Sequence, residues 1–266
     1  MVEFNPQSSS SLLQQVQQRQ DTLLERLASG RRVNSAADDS AAQQIIDRLT
    51  SQVEGNRQSI RNAYDGVSLA QVAESGLEGI NNDAQRIREL TLQAGNGALN
   101  DADRRAIQSE ITQLQENITQ TVEQTTFGGR PLLSESGSVD FQVGANAGQQ
   151  ISLETRNIQE ELQGLLNADV TTSSGLQEAL ATVDESLSII GSARSDLGAT
   201  QNQFESAARN LSQADVNTAA ARSRIQDTDY AQTASENAAA GVLGQSAISV
   251  QAQANQQQGQ VLALLS

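Results

Sequence analysis

Residues 46–90 read IDRLTSQVEGNRQSIRNAYDGVSLAQVAESGLEGINNDAQRIREL. Apolar side chains recur in this stretch at intervals of three and four residues or their sums, the spacing of one face of an α-helix. The stretch contains no proline, which would break a helix interior. The pattern predicts one very long helix, since about fifty helical residues span roughly 75 Å. A rod of that length needs packing partners along its side.

The chain before this rod predicts a shorter helix with a heptad seam that continues to a glycine. Its apolar positions are Leu13, Val16, Leu23 and Leu27, and Gln20 occupies the position that the repeat leaves open. Gly30 is a typical helix stop.

After the rod, the stretch 100–103 can cap a further helix, and apolar residues repeat from Ile107 to Val122 with helical spacing. The period then changes to two, with Val139, Phe141 and Val143 alternating before a turn at 144–148. Residues 127–153 therefore predict a β-hairpin. The turn contains glycines but not the Lys and Ser/Thr of a phosphate-binding loop, so it is interpreted as a turn between strands.

The C-terminal half predicts two more helices. Arg194 and Gln201 occupy polar positions in the seam of the first helix. In the second helix, the seam residues are spaced alternately by four and three positions to the end of the chain. The apolar residues predicted for the core of the first are Leu176, Leu180, Val183, Leu187, Ile190, Leu197 and Phe204. The predicted seam of the second contains Leu243, Ala247, Val250, Ala254, Val261 and Leu264.

The fold class predicted from these patterns is mainly α: long antiparallel helices in a coiled-coil-like bundle with a small β-hairpin region. Both end segments are heptad-patterned but rich in Gln, Ser and Ala, and neither has enough bulky apolar surface to be stable alone in water. They therefore need each other or copies of themselves. A chain with such ends is suited to assembly, with ordering coupled to polymerisation.

Composition excludes several classes of function. The formal charge of −15 and the isoelectric point near 4.3 disfavour binding to nucleic acid. With no His and no Cys, the chain cannot form Ser–His or Cys–His nucleophilic sites or ordinary zinc sites. No apolar run of about 20 residues is present, so membrane insertion is not predicted. We predict no enzyme activity, no catalytic residue, no metal and no cofactor.

Two aspartate pairs have structural and functional interpretations. Asp38 and Asp39 could act as an acid–base pair, but Ser35 and Asp38 have capping-box spacing, which favours helix capping. Asp227 and Asp229 near Arg222 and Arg224 could hold a cation, although a salt-bridge cluster at a helix end is the favoured interpretation. All 17 basic residues are Arg, which suits bidentate carboxylate contacts at interfaces or reflects a lineage bias.

Several stretches resemble bacterial flagellins in the family's order, over nearly the whole chain. They are LASGRRVNSAADD at 27–39, QRIREL at 85–90, FQVGANA at 141–147, SRIQDTDYA at 223–231 and QANQ at 253–256. Two departures are the opening MVEFNP and Gly128, where the family commonly has Asn.

The resemblance implies a subunit of the extracellular flagellar filament, exported unfolded by the flagellar type III apparatus. The implied domains are an N-terminal inner-tube helix and linker at 1–34 and a C-terminal inner-tube helix at 232–266. The rod domain would comprise two helices and the hairpin at 35–175 and a long helix at 176–231. The family's variable outer domains are missing, so the chain resembles a minimal flagellin.

The implied partners are copies of the chain, flagellar cap and hook-junction proteins, an export chaperone and the animal innate flagellin receptor. Arg86, Leu90 and Glu110 match positions through which that receptor grips the family's rod domain. Filament packing is the other interpretation of these residues, and both can hold because the receptor binds monomers. Arg31, Arg32, Arg86 and Arg88 are available to set register between neighbouring copies. The alternatives are a hook–filament junction protein, which shares the terminal helices, and a secreted coiled-coil effector.

Overall fold

The computed structural model describes the backbone of residues 6–265 and the side chains of residues 11–253 and 255–257. The chain is mainly helical, with two small antiparallel hairpins near its middle. In chain order the elements are α1 (Pro6–Ser29), α2 (Ser40–Ala94), α3 (Asp101–Gln124), β1 (Thr126–Phe127), β2 (Arg130–Pro131), β3 (Gly137–Gln142), β4 (Gln150–Thr155), α4 (Ile158–Glu161), α5 (Gln163–Leu166), α6 (Ser173–Gln226) and α7 (Tyr230–Leu265).

The chain divides into two compact units. We call residues 1–53 with 216–266 the terminal unit and residues 54–215 the central unit. The domain boundaries expected from the family resemblance, at 34/35, 175/176 and 231/232, stay predictions.

Helix ends in the central unit follow local chemistry. Asn100 caps α3, because its side-chain oxygen accepts from the backbone N–H groups of Ala102 and Asp103. Asp103 reaches back to the Asn100 N–H at 3.1 Å, which completes a capping box. The predicted polar start at 100–103 is therefore confirmed as a helix cap.

The predicted β region is confirmed, but it consists of two hairpins. Gly128 and Gly129 both have positive φ and form the tight turn between β1 and β2. Strand β3 pairs with β4 in antiparallel register, with Val139 opposite Leu153 and Phe141 opposite Ile151. The turn predicted at 144–148 joins these two strands, and Gly148 has a φ of +83°.

The core of the central unit lies where α2, α3, α6 and the β3–β4 hairpin meet. Glu74 pairs with Arg194 and Arg88 with Asp184, so the two long helices run antiparallel. The Phe204 side chain is fully buried, and its ring meets Phe141 edge to face with centroids 5.2 Å apart. Of the predicted core positions, Val183, Ile190, Leu197 and Phe204 are buried, whereas Leu176, Leu180 and Leu187 are half-buried.

Two short helices close this core and were missed by the sequence analysis. Ile158 on α4, Leu162 between the two helices and Leu165 on α5 are each at most 1% exposed. Their spacing of four and three residues was an available signal. The segment is too short to show the pattern over more than two helical turns.

Candidate assembly surface

Helices α1 and α7 form an antiparallel pair within the terminal unit. Gly241 lies against Gln20 and Gly244 lies against Val16, so the numbering falls along one helix as it rises along the other. Leu23 is buried, and Leu13, Val16 and Leu27 are half-buried on the same face. The four predicted seam residues of α1 therefore lie together on the side that faces α7.

Helix α7 turns to α1 a face that differs from its predicted seam, so packing of that seam on copies of the chain stays a prediction. The less exposed positions of α7 are small or polar residues with helical spacing of three and four, which are Thr233, Glu236, Asn237, Ala240, Gly241, Gly244, Ala247 and Gln251. Of the predicted seam, only Ala247 belongs to this set among the described side chains. Leu243 and Val250 are 59% and 44% exposed. The side chains of Ala254, Val261 and Leu264 lie outside the described residues.

An apolar stripe remains uncovered on α7. Leu243 and Val250 are seven residues apart, about two helical turns, and Val242 lies beside them at 68% exposed. Ile248 is also half exposed on this helix, and α1 adds Leu12 and Leu24. Glu236 is the last charged residue of the sequence, so nothing ionic interrupts the stripe. We call Val242, Leu243 and Val250 the outer stripe.

A groove of about 370 Å³ lies between the two helices next to the outer stripe. Leu12 and Val16 of α1 and Ala239 and Leu243 of α7 form its apolar walls, and Arg19 and Glu236 stand at its polar end. An aliphatic side chain from another molecule would find apolar surface on both sides there.

Two buried polar atoms in the described part of the α1–α7 pair lack hydrogen-bond partners. The side-chain oxygens of Asn237 and Gln251 are buried and have no hydrogen-bond partner among the described residues. A buried unpaired polar atom costs about 1–3 kcal/mol. The pair therefore buries polar atoms at its own seam while it exposes Leu and Val outside.

The stretch 30–33 pairs with the stretch 225–228 where the helix ends of the terminal unit meet. Arg32 N donates to Gln226 O at 2.6 Å, and Thr228 N donates to Gly30 O at 3.0 Å. Below this junction Val33, Ala42 and Ile46 form a small apolar cluster against Ile225. Gly30 has a φ of +68°, which suits glycine at the end of α1 and confirms the predicted stop.

The aspartates of this region have turn and capping roles. Asp39 caps α2 by accepting from Ala42 N, whereas Asp38 accepts from the N–H groups of Asn34 and Ser35 in the preceding turn. The predicted Ser35–Asp38 capping box is therefore wrong, because α2 begins five residues after Ser35.

The expected salt-bridge cluster at 222–229 is also replaced by local hydrogen bonds. Asp229 caps α7 by accepting from Ala231 N and Gln232 N, and Asp227 accepts from the Ser223 hydroxyl. Arg222 reaches the Thr50 hydroxyl at 3.5 Å instead of a carboxylate. Short-range capping therefore uses the carboxylates that the sequence analysis assigned to ion pairs.

Acid is expected to weaken the turn at Asp38. The two backbone N–H donors of Ser35 and Asn34 hold the pKa of the Asp38 carboxyl below its ordinary value of 3.8. A lowered pKa in the folded state stabilises the fold above the ordinary value, and this contribution is lost as the pH falls through the folded-state pKa. We expect Asp38→Asn to lower the melting temperature of the chain at pH 7.

The difference should disappear once the pH is below that lowered pKa, because both side chains are then uncharged. The control is Asp21→Asn, an exposed aspartate of the same unit, which should change the melting temperature little at either pH. An Asp38→Asn effect that persists unchanged in acid would contradict the assignment.

The three residues predicted for receptor contact do not form one exposed patch. Arg86 donates to Glu110 at 2.9 Å and also pairs with Glu89, all at the surface. Leu90 is only 2% exposed and belongs to the core of the central unit. Leu90 therefore cannot be contacted directly, which corrects the predicted patch.

Arg86 and Arg88 are engaged within the chain by Glu110 and Asp184. Both pairs lie at the surface, where water and salt weaken an ion pair. In the free chain, therefore, neither arginine presents an uncommitted guanidinium for setting register between copies.

Among the described residues, no group of three or more His, Cys, Asp or Glu side chains is placed to hold a metal ion. None of the described helices combines the length and the apolar character that a membrane span requires.

Family models match both ends of the chain. The bacterial flagellin N-terminal helical region matches residues 5–138, and the bacterial flagellin C-terminal helical region matches residues 180–265. The chain is 38% identical over 247 residues to a flagellin of Halalkalibacterium halodurans, covering 91% of this chain and 90% of that protein. It is 36% identical over 277 residues to a flagellin of Bacillus subtilis, covering 91% of each.

Solved structures resemble the fold at lower identity. Bacillus cereus flagellin matches with a TM-score of 0.52 and 22% identity, over 57% of this chain and 88% of that one. A putative flagellar hook-associated protein from Vibrio parahaemolyticus matches with a TM-score of 0.62 and 14% identity, over 71% of this chain and 100% of that one. Likeness at these identities shows the fold alone and does not favour the junction alternative. By its sequence relatives and by both family models, this chain is a member of the bacterial flagellin family.

Proposed function

We propose that copies of this chain polymerise helically into the hollow flagellar filament used for motility, outside the cell. The observation that carries the proposal is the outer stripe on α7. Burying an exposed Leu or Val side chain contributes about 1.5–3 kcal/mol when the burial is complete. A repeated contact between copies that does not close on itself builds a filament.

In this proposal, the helices at 1–34 and 232–266 form the inner tube and residues 35–231 form the surrounding rod. The antiparallel pairing of α1 with α7 supports a common tube layer for the two ends of the chain. The chain acts through packing and not through catalysis, in keeping with a structural family.

Further partners follow from the family resemblance. They are the flagellar cap and hook-junction proteins at the ends of the filament and an export chaperone before secretion. For the animal innate receptor, the exposed Arg86–Glu110 pair is the part of the predicted patch that a partner can reach.

Seeded assembly tests the proposed function. Purified chain is mixed with short filament fragments and imaged by electron microscopy, beside a version that lacks residues 243–266. We expect long tubes from the full chain and none from the truncated one, because the truncation removes Leu243 and Val250.

The truncated chain needs a folding control. Its central unit should still give a cooperative helical unfolding transition by circular dichroism, because residues 54–215 have their own core. A full chain that stays monomeric beside competent seeds would contradict the filament function and favour the junction or effector alternatives.

A further inference from the structure

The loop between α2 and α3 contains the only Asn-Gly pair of the sequence, Asn96 followed by Gly97. Both residues are exposed, as is Ala98 after them. The Leu99 N–H donates to the Asn96 carbonyl at 3.1 Å, so residues 96–99 form a tight turn. The pair is therefore open to water and is also held in a defined conformation.

The side chain of Asn96 folds over this turn. Its Oδ1 accepts a hydrogen bond from the Ala98 N–H at 3.1 Å. Such a bond, from the backbone two residues on to the side-chain oxygen of an asparagine, closes a small ring. The Asn96 Cγ and the Gly97 nitrogen both belong to that ring. The turn therefore keeps the side-chain carbonyl carbon close to the backbone nitrogen that follows it.

Neither nitrogen of the pair is engaged elsewhere. The Gly97 N–H and the Asn96 side-chain amide donate to no acceptor among the described residues. A Cβ added at Gly97 would meet no atom within 4 Å, and glycine itself places no side chain beside its nitrogen. The Gly97 nitrogen is therefore unhindered and free to react.

We infer that Asn96 is a site of spontaneous deamidation in the folded chain. The Gly97 nitrogen loses its proton and bonds to Asn96 Cγ, the bond from Cγ to Nδ2 breaks, and Nδ2 leaves as ammonia after taking up a proton. Water then opens the cyclic imide at either carbonyl carbon, which gives aspartate or isoaspartate. The Ala98 N–H promotes the first step, because it donates to the oxygen on which negative charge develops.

The product differs from the original loop in charge and in backbone length. Each conversion adds a carboxylate, and isoaspartate also adds a backbone carbon to the connection between α2 and α3. Restoring asparagine would require ammonia in place of water, so the product accumulates. The converted fraction therefore increases with the age of each copy. This chemistry does not depend on the proposed polymerisation and can be tested on the monomeric chain.

The test follows the folded full chain during incubation in mildly alkaline buffer. Samples are cleaved after arginine, and tandem mass spectrometry of the peptide 89–104 locates the exchange of NH2 for OH. An isoaspartate-specific methyltransferase then labels the isoaspartate product. Asn146 is the internal reference, because it is also exposed but precedes Ala147.

We expect Asn96 to be converted roughly tenfold or more faster than Asn146, whose Oδ1 has no such donor among the described residues. Equal rates at the two asparagines would overturn the inference. A folded chain that keeps Asn96 intact while the urea-unfolded chain converts it would overturn it too, because the turn would then protect the side chain.

Gly97→Ala is the matched variant. Its Cβ should slow conversion of Asn96 severalfold by hindering the attacking nitrogen. The fold has room for this Cβ, and Gly97 does not have a positive φ, so the melting curve should not change. A variant that folds normally and converts Asn96 at the natural rate would contradict attack by the Gly97 nitrogen.

Discussion

Replacing Leu243 by Gln is expected to raise the critical concentration of assembly by roughly tenfold to a hundredfold. Leu243 is 59% exposed in the free chain, so much of its side chain is left for a neighbouring copy to bury. Losing that burial and desolvating an amide instead costs roughly 1.5–3 kcal/mol, and each 1.4 kcal/mol is about tenfold in an equilibrium constant. Sedimentation of polymer at a series of protein concentrations measures the change.

Leu243→Met is the matched control at the same position. Leu, Met and Gln have similar helix propensities, so the two variants differ mainly in the polarity of the exposed side chain. The methionine variant should assemble within a few-fold of the natural chain. Equal critical concentrations for Leu243→Gln and Leu243→Met would show that the outer stripe is not part of the contact between copies.

Phe204→Ala is expected to destabilise the central unit by about 3–5 kcal/mol. The ring is fully buried and contacts Phe141 at its edge. Gly66 leaves the space for the ring, because a Cβ at residue 66 would lie 2.6 Å from its carbon atoms. Urea unfolding followed by circular dichroism measures the loss.

Tyr64→Ala provides the control for Phe204→Ala. Tyr64 is another aromatic residue of the central unit, but it is 58% exposed, so its removal should change the free energy of unfolding by less than about 0.5 kcal/mol. Similar losses for the two variants would show that the α2–α6 core is not organised around Phe204.

The long helices and the β region could be predicted from sequence because their patterns extend over many residues. The face of α7 that meets α1 could not be predicted. This helix is rich in Ala, Gly, Ser and Gln on every side, so two sets of residues with helical spacing of four and three run along it. The set with the larger residues, Leu243 and Val250, forms the predicted seam.

The face of α7 that meets α1 consists of small and polar residues. Gly241 and Gly244 lie opposite Gln20 and Val16, and a Cβ added at either glycine would lie 3.6 Å from those side chains. The larger residues are then left outside, available to another molecule. Periodicity alone cannot decide which of two faces meets the partner in the same chain.

Local hydrogen bonding explains why two predicted aspartate contacts were wrong. Asp38 was expected in a helix cap and Asp227 in an ion-pair cluster, yet each accepts a hydrogen bond from a group within four residues along the chain.

Leu90 was predicted in an exposed patch because it lies one helical turn from Arg86. The two side chains nevertheless differ in exposure, since Arg86 lies at the surface and Leu90 is buried in the core. Residues that share a turn can still differ completely in exposure.

A helical reconstruction of the assembled polymer at side-chain resolution would show directly which surfaces hold the copies together. We expect α1 and α7 to line the tube and Leu243 and Val250 to be buried against a neighbouring copy. A polymer in which both side chains remain exposed to solvent, with copies held together through their central units, would contradict this expectation.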